Sequence, residues 1–65
     1  MIKVNGESIE NLADKTVAEY LAESGYDIGR VAVELNGGIL PKPQYEGTLL
    51  QDGDCIEIVS FVGGG

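Results

Sequence analysis

The feature that most constrains this chain is its length of 65 residues combined with a single cysteine. A domain of this size buries only about 60% of the surface that its unfolded chain exposes, and one cysteine cannot form an intramolecular disulfide. The chain therefore has room for one domain with one small hydrophobic core. Because pockets for drug-sized ligands occupy about 300–1,000 Å³, we do not expect such a body to enclose a substrate and act as an enzyme by itself.

The charge is strongly acidic, with eleven acidic residues against four basic ones and a net charge of −7. Such a chain repels phosphate backbones and anionic lipid headgroups, so we expect no nucleic-acid partner and no membrane partner. The charge either favours docking onto positively charged protein surfaces or only maintains solubility. The first residues show no basic segment followed by a long apolar stretch, and we expect a cytoplasmic protein.

The sequence contains no histidine, and Cys55 is its one cysteine. The usual zinc sites and the Ser/His/Asp or Cys/His nucleophile arrangements cannot be assembled from these residues, so we expect no metal site. Cys55 lies in an apolar run, which predicts a semi-buried structural thiol. The alternative is a reactive or metal-binding thiol.

The first half of the chain predicts a hairpin followed by a helix. Asn5-Gly6 suits a two-residue turn between a strand at residues 1–4 and a second strand at residues 7–12. Thr16, with Glu19 three residues later, forms a capping box. A helix is therefore predicted from Val17 to about Ser24, and the following glycine suits the left-handed conformation that ends helices.

The second half predicts three further strands. Residues 31–35 alternate and are rich in β-branched side chains, and Asn36-Gly37-Gly38 marks a tight turn before a short strand at Ile39-Leu40. Another turn at residues 51–54 precedes the last and longest strand, predicted from Cys55 to Phe61. The complete order is that of an α+β roll, in which one helix covers one face of a mixed sheet.

Period-two alternation divides the strand residues between the face under the helix and the opposite, open face. The set predicted to face the helix is Ile2, Val4, Val31, Val33, Leu35, Ile56 and Ile58. The set predicted for the open face is Lys3, Ala32, Glu34, Glu57, Val59 and Phe61. Val59 and Phe61 are large apolar side chains beside the chain end, which indicates a partner-docking surface. The alternative is that the loop around Pro43 to Tyr45 partly covers them.

The last strand leads into Val62-Gly63-Gly64-Gly65. Glycine has no Cβ and wide backbone freedom, so this segment could enter a narrow channel and bring its carboxylate close to another enzyme's reactive groups. We therefore divide the chain into a domain at residues 1–62 and a flexible tail at residues 63–65. The pattern is consistent with attack of the Gly65 carboxylate on the α-phosphate of ATP, followed by displacement of the nucleotide by a sulfur nucleophile. The alternatives are a frayed terminus and a cloning remnant.

Six segments, in their order and spacing, carry a resemblance to a known family. They are Val4-Asn5-Gly6, Thr16-Val17-Ala18-Glu19-Tyr20-Leu21, Val31-Ala32-Val33-Glu34-Leu35-Asn36-Gly37, Pro41, Leu50-Gln51-Asp52-Gly53-Asp54 and Phe61-Val62-Gly63-Gly64-Gly65. Together they resemble the ThiS family of thiamine-biosynthesis sulfur carriers over essentially the whole chain. The resemblance implies a ubiquitin-like β-grasp fold. Gly64 and Gly65 match the family's Gly-Gly end, and the Gly65 carboxyl carbon is then the modified centre.

The resemblance also implies the partners. A ThiF-like enzyme, related to ubiquitin-activating enzymes, adenylates the terminal carboxylate, which is converted to a thiocarboxylate with sulfur from a donor such as a cysteine desulfurase or a sulfurtransferase. The thiazole synthase ThiG receives the sulfur. ATP and Mg²⁺ belong to the activating partner, because this chain has no phosphate-binding glycine loop, and we expect it to bind no cofactor.

Other functions remain open at this point. The small subunit of molybdopterin synthase uses the same tail chemistry but is usually longer, and related carriers serve cysteine or other sulfur metabolites. A ubiquitin-like interaction domain that recruits partners through its sheet face, with an idle tail, is the alternative from a different class.

Overall fold

Residues 1–61 are described by a computed structural model of the chain. In this part of the chain one α-helix and five strands are present, with short 3₁₀ helices at Ile28–Arg30 and Lys42–Gln44. The helix and strands are α1 (Val17–Glu23), β1 (Ile2–Val4), β2 (Glu7–Ile9), β3 (Val31–Leu35), β4 (Gly38–Leu40) and β5 (Cys55–Ser60). The α+β order predicted from the sequence is confirmed.

The five strands form one mixed sheet in the order β2-β1-β5-β3-β4. Strand β5 is central: it pairs parallel with β1 and antiparallel with β3. The two flanking hairpins turn at Asn5-Gly6 and Asn36-Gly37, whose φ values are 51° and 86° in the first turn and 52° and 86° in the second. Positive φ at both central residues is the type I′ geometry that matches the strand twist, which explains why asparagine and glycine occupy both turns.

Helix α1 begins at the predicted capping box. The Glu19 N–H donates to the Thr16 hydroxyl at 3.0 Å, and the Thr16 N–H donates to the Glu19 carboxylate at 2.8 Å. Gly25 follows the helix with φ of +81°, as predicted. Val17 and Leu21 are fully buried, so the helix packs on one face of the sheet.

The core lies between α1 and this sheet face. Of the residues predicted to face the helix, Leu35 is half-buried and the other six are buried. The buried set is Ile2, Val4, Leu12, Val17, Leu21, Val31, Val33, Tyr45, Leu50, Ile56 and Ile58. Leu12, Tyr45 and Leu50 come from loops, so the core is completed by segments outside the sheet.

The second strand is shorter than predicted. It ends at Ile9, whereas the sequence pattern extended it to Leu12. Asn11 and Asp14 adopt φ of 67° and 72°, a left-handed conformation that is incompatible with a strand. The chain therefore turns after β2 and carries Leu12 into the core as a loop residue.

Candidate functional site

The C-terminal end of β5 carries two exposed apolar side chains. Val59 is 55% exposed and Phe61 is 57% exposed. Phe61 follows the strand directly, and its N–H donates to the Arg30 carbonyl at 2.7 Å, so the ladder to the β3 side continues one residue beyond Ser60. The chain is thus held in place up to the last described residue.

The loop around Pro43 to Tyr45 is anchored on the helix side of the sheet through Tyr45. Tyr45 is only 2% exposed and belongs to the core. Its carbonyl accepts a hydrogen bond from the Ala18 N–H of α1 at 3.0 Å, which holds this part of the loop against the helix. More than half of the surface of Val59 and Phe61 is exposed, so the two residues belong to an exposed face, and the alternative of partial cover by the loop stays untested.

The strand register adds Ile39 to the predicted open face. Glu34 lies directly opposite Glu57 on β5 and directly opposite Ile39 on β4. Directly opposed residues point to the same face, so these three side chains form a row across the sheet. Ile39 is 73% exposed. The two-residue Asn36-Gly37 turn fixes this register, and Ile39 was therefore accessible to sequence reasoning, although the alternation pattern alone missed it.

The sheet face opposite α1, called the open face, consists of Lys3, Ala32, Glu34, Ile39, Cys55, Glu57, Val59 and Phe61. It combines apolar side chains with two carboxylates, and Ala32 is half-buried between neighbouring strands.

Cys55 is exposed, and the prediction of a semi-buried thiol is wrong. Cys55 precedes the buried Ile56 in the same strand and pairs with Lys3, so alternation directs its side chain to the open face. The apolar run around Cys55 suggested burial, but every second residue of a strand with one buried face is directed to solvent.

Asn5 is the turn residue that the sequence predicts, and its side chain has a second role that the sequence did not predict. Strand β1 ends at Val4, so β5 has no strand partner on that side beyond this point. The Asn5 side chain takes the place of the strand and hydrogen-bonds the backbone of β5. Its carbonyl oxygen accepts from the Ile58 N–H at 2.8 Å, and its amide nitrogen donates to the Ile58 carbonyl at 3.3 Å. The Asn5 side chain therefore supports the end of β5 from the β1 side.

Two carboxyl groups have lowered pKa values, and both lie away from the open face. At Glu19 the hydrogen bond from the Thr16 N–H, then the bond with the Thr16 hydroxyl, hold the pKa below its ordinary value of 4.5. At Asp52 the hydrogen bond from the N-terminal ammonium of Met1 lowers the pKa. These shifts have structural causes, a helix cap and an ion pair.

No group of three or more metal-ligating side chains converges within residues 1–61. No helix in this range is long and apolar enough to cross a membrane. A shallow depression of about 290 Å³, lined by Met1, Ile9 and Leu12 among others, lies beside the start of β1. Because β1 runs parallel to β5, this depression is at the end of the sheet opposite Phe61.

The tail lies outside the described residues. This applies to Val62, Gly63, Gly64 and Gly65, and to the boundary between the predicted domain at residues 1–62 and the predicted tail at residues 63–65. The docking role of Val62 and the chemical role of Gly65 remain predictions.

Comparison with solved structures places the fold in a known class. The crystal structure of the thiamine biosynthesis protein ThiS from Geobacter metallireducens superimposes with a TM-score of 0.77 and 33% identity, covering 98% of this chain and 97% of that chain. The mixed sheet with one helix is the ubiquitin-like β-grasp fold, as the resemblance implied.

The family follows from the sequence comparisons. The model of the ThiS family matches residues 2–65. The sulfur carrier protein ThiS of Bacillus subtilis (strain 168) is 39% identical, with 100% of each chain covered. The chain belongs to the ThiS family, and the resemblance read from its motifs is confirmed.

A relative of a different size also matches. The thiazole synthase of Paramagnetospirillum magneticum is 47% identical over 62 residues, which are 95% of this chain and 19% of that protein. The chain thus spans about a fifth of the length of the thiazole synthases that it matches.

Proposed function

We propose that this chain is a sulfur carrier whose Gly65 carboxylate is adenylated and then converted to a thiocarboxylate, which donates sulfur for the thiazole ring of thiamine. The observation that carries the proposal is the match to the ThiS family, which extends through Gly65. Gly65 lies four residues after Phe61, which with Val59 forms an exposed apolar pair at the end of the central strand. The proposal requires a free carboxylate on Gly65.

The proposed chemistry takes place at the Gly65 carboxylate and requires no catalytic side chain from the rest of the carrier. The carboxylate attacks the α-phosphorus of ATP and pyrophosphate leaves. Sulfide then attacks the acyl carbon and AMP leaves; where the nucleophile is a persulfide on the donor protein, AMP leaves in the same way and a thiol then reduces the acyl disulfide, which releases the thiocarboxylate and leaves the donor and the thiol joined in a disulfide. The resulting thiocarboxylate is ionised at neutral pH, and its sulfur is a strong, soft nucleophile. It needs no base on the carrier, so a chain without histidine is adequate for this role.

The proposed partners supply the remaining groups. A ThiF-like adenylating enzyme binds ATP and Mg²⁺, and a cysteine desulfurase or sulfurtransferase supplies sulfur. Thiazole synthase is the proposed acceptor, because a segment similar to this chain forms about a fifth of two proteins that carry this name. A cytoplasmic location is consistent with the exposed thiol of Cys55, since reducing compartments keep such thiols free.

Mass spectrometry tests the proposal directly. The chain is incubated with a ThiF-like enzyme, ATP and a sulfur donor, and its mass should increase by the difference between a sulfur and an oxygen atom. A variant that lacks Gly65 is the matched control and should stay unchanged. An unchanged mass for the intact chain would leave only the interaction-domain function. Transfer of sulfur to a molybdopterin synthase large subunit, and not to thiazole synthase, would instead assign the chain to that pathway.

A further inference from the structure

We propose that the open face receives a cationic side chain of the adenylating enzyme, an arginine or a lysine, between Glu34 and Glu57, with apolar contacts to Ile39 and Val59. This inference rests on the proposed carrier function and adds the chemistry of the surface that docks there.

The first observation is the unfavourable pairing of Glu34 and Glu57. The two residues lie directly opposite each other on neighbouring strands, and both are exposed. Directly opposed side chains on one sheet face have Cβ atoms about 4.5–5.5 Å apart, and like charges at this distance destabilise the sheet. The ion pairs formed within residues 1–61 involve neither carboxylate. Lys3, on the neighbouring strand β1, is in register with Cys55 and therefore diagonal to Glu57 on the same face, and it forms no ion pair within residues 1–61.

The second observation is the apolar frame around this pair. Ile39 lies beside Glu34 on β4, and Val59 follows two residues after Glu57 on the same face of β5. Their exposures of 73% and 55% are high for aliphatic side chains in a sheet. Binding hot spots combine such apolar contacts, which exclude water, with a central anchor residue that is often arginine. A guanidinium also matches carboxylate geometry with paired hydrogen bonds.

Charge decides which occupant fits the face. A second copy of this chain would bring a further net charge of −7 and the same two carboxylates onto the face. A metal ion would have only two protein carboxylates here, and no cluster of three ligating groups occurs within residues 1–61. A protein surface with one cation framed by apolar side chains satisfies both the charge and the apolar contacts, so we assign the face to such a surface.

Paired neutral variants test the inference. The variant E34Q/E57Q removes the carboxylates of the open face, and E10Q/E46Q removes two exposed carboxylates from loops, so both change the net charge from −7 to −5. Binding to the ThiF-like enzyme and pyrophosphate release are measured on the same proteins. We expect E34Q/E57Q to raise Kd and the carrier's KM by at least about 10-fold with kcat unchanged, and E10Q/E46Q to change them by less than about 3-fold.

Stability provides a second readout. Removing the repulsion, with E57Q or with E34Q/E57Q, should raise the thermal midpoint of the free chain by about 1–4 °C at low salt, so weaker binding of the double variant cannot be attributed to misfolding. A lower midpoint would overturn the claim that the two carboxylates repel each other.

The outcomes separate the inference from the proposed function. Equal effects of the two double variants would overturn the inference while the chain is still adenylated. Binding that depends on Glu34 and Glu57 without any adenylation would support the inference and overturn the carrier function. Absence of binding by the unmodified chain would overturn both.

Discussion

The contact between Asn5 and Ile58 predicts a stability difference that can be isolated experimentally. In the variant N5G the backbone keeps its positive φ without strain, because glycine adopts φ near 51° readily, and only the side-chain amide is lost. The loss leaves the Ile58 N–H and C=O without their partner at the point where β1 has ended. The variant therefore tests the amide and not the turn.

The expected magnitude follows from the two hydrogen bonds. A typical intramolecular hydrogen bond contributes about 0.5–1.5 kcal/mol net, so two bonds contribute about 1–3 kcal/mol. The bond at 3.3 Å is long, and Asn5 is exposed, so water can reach the freed groups. We therefore expect a loss of about 1–2 kcal/mol, and each kcal/mol lowers the midpoint of a domain this small by about 4–8 °C.

The matched control is N11G. Asn11 also has positive φ, 67°, and is exposed, and its side chain makes no hydrogen bond with the described part of the chain. Both variants replace asparagine with glycine at a left-handed position, so the entropy change of the unfolded chain cancels in the comparison. Urea unfolding of both variants gives the difference. Equal stabilities within about 0.5 kcal/mol would refute the supporting role of Asn5.

Four further predictions concern the cap, the open face, the tail and the thiol. Because the pKa of the Glu19 carboxyl is lowered in the folded chain, its contribution to stability is complete above pH 4.5 and declines as the pH falls through the lower folded-state pKa. The thermal midpoint of E19Q should therefore fall less steeply with decreasing pH than that of the unmodified chain, and an identical pH dependence would contradict this. Phe61→Asp should mainly speed dissociation from the adenylating enzyme. Gly64→Val should leave docking near normal but block pyrophosphate release, because a side chain at position 64 would clash inside the channel of the activating enzyme. Normal adenylation of Gly64→Val would show that this steric explanation is wrong. Cys55→Ser should load sulfur normally, and a folded variant that fails to load would assign the thiol a role in sulfur transfer.

Local sequence patterns predicted most of the fold because local interactions determine its elements. The capping box at Thr16 placed the start of α1, and the two Asn-Gly turns fixed both hairpins. The pairing of Asn5 with Ile58 joins residues 53 positions apart, and no local pattern encodes such a contact. The same limit applies to Leu12, whose place in the core depends on the path of a loop.

The open face was predicted only in part. Alternation placed Glu34, Glu57 and Val59 correctly, because period two is a property of any strand. The prediction for Cys55 was wrong: the apolar run in which it lies favours burial, whereas its position directly before buried Ile56 turns its side chain to the open face. The opposition of Glu34 and Glu57 requires the pairing of two strands far apart in sequence, and only the structure provides it.

The number of residues between Phe61 and Gly65 limits how far the Gly65 carboxylate can lie from the open face, and we predict from this limit that the proposed carrier serves its proposed partners one at a time. Phe61 is held by its hydrogen bond to Arg30, and four residues follow it. A fully extended chain spans at most about 3.3–3.6 Å per residue, so the Gly65 carboxylate reaches no further than about 13–14 Å from Phe61. Any active site that accepts this carboxylate must therefore lie close to the open face, and two enzymes cannot occupy that space together. We expect the adenylating enzyme and thiazole synthase to compete for one carrier in a binding assay with labelled chain. A stable complex containing all three proteins with one copy of the carrier would show that they use separate surfaces.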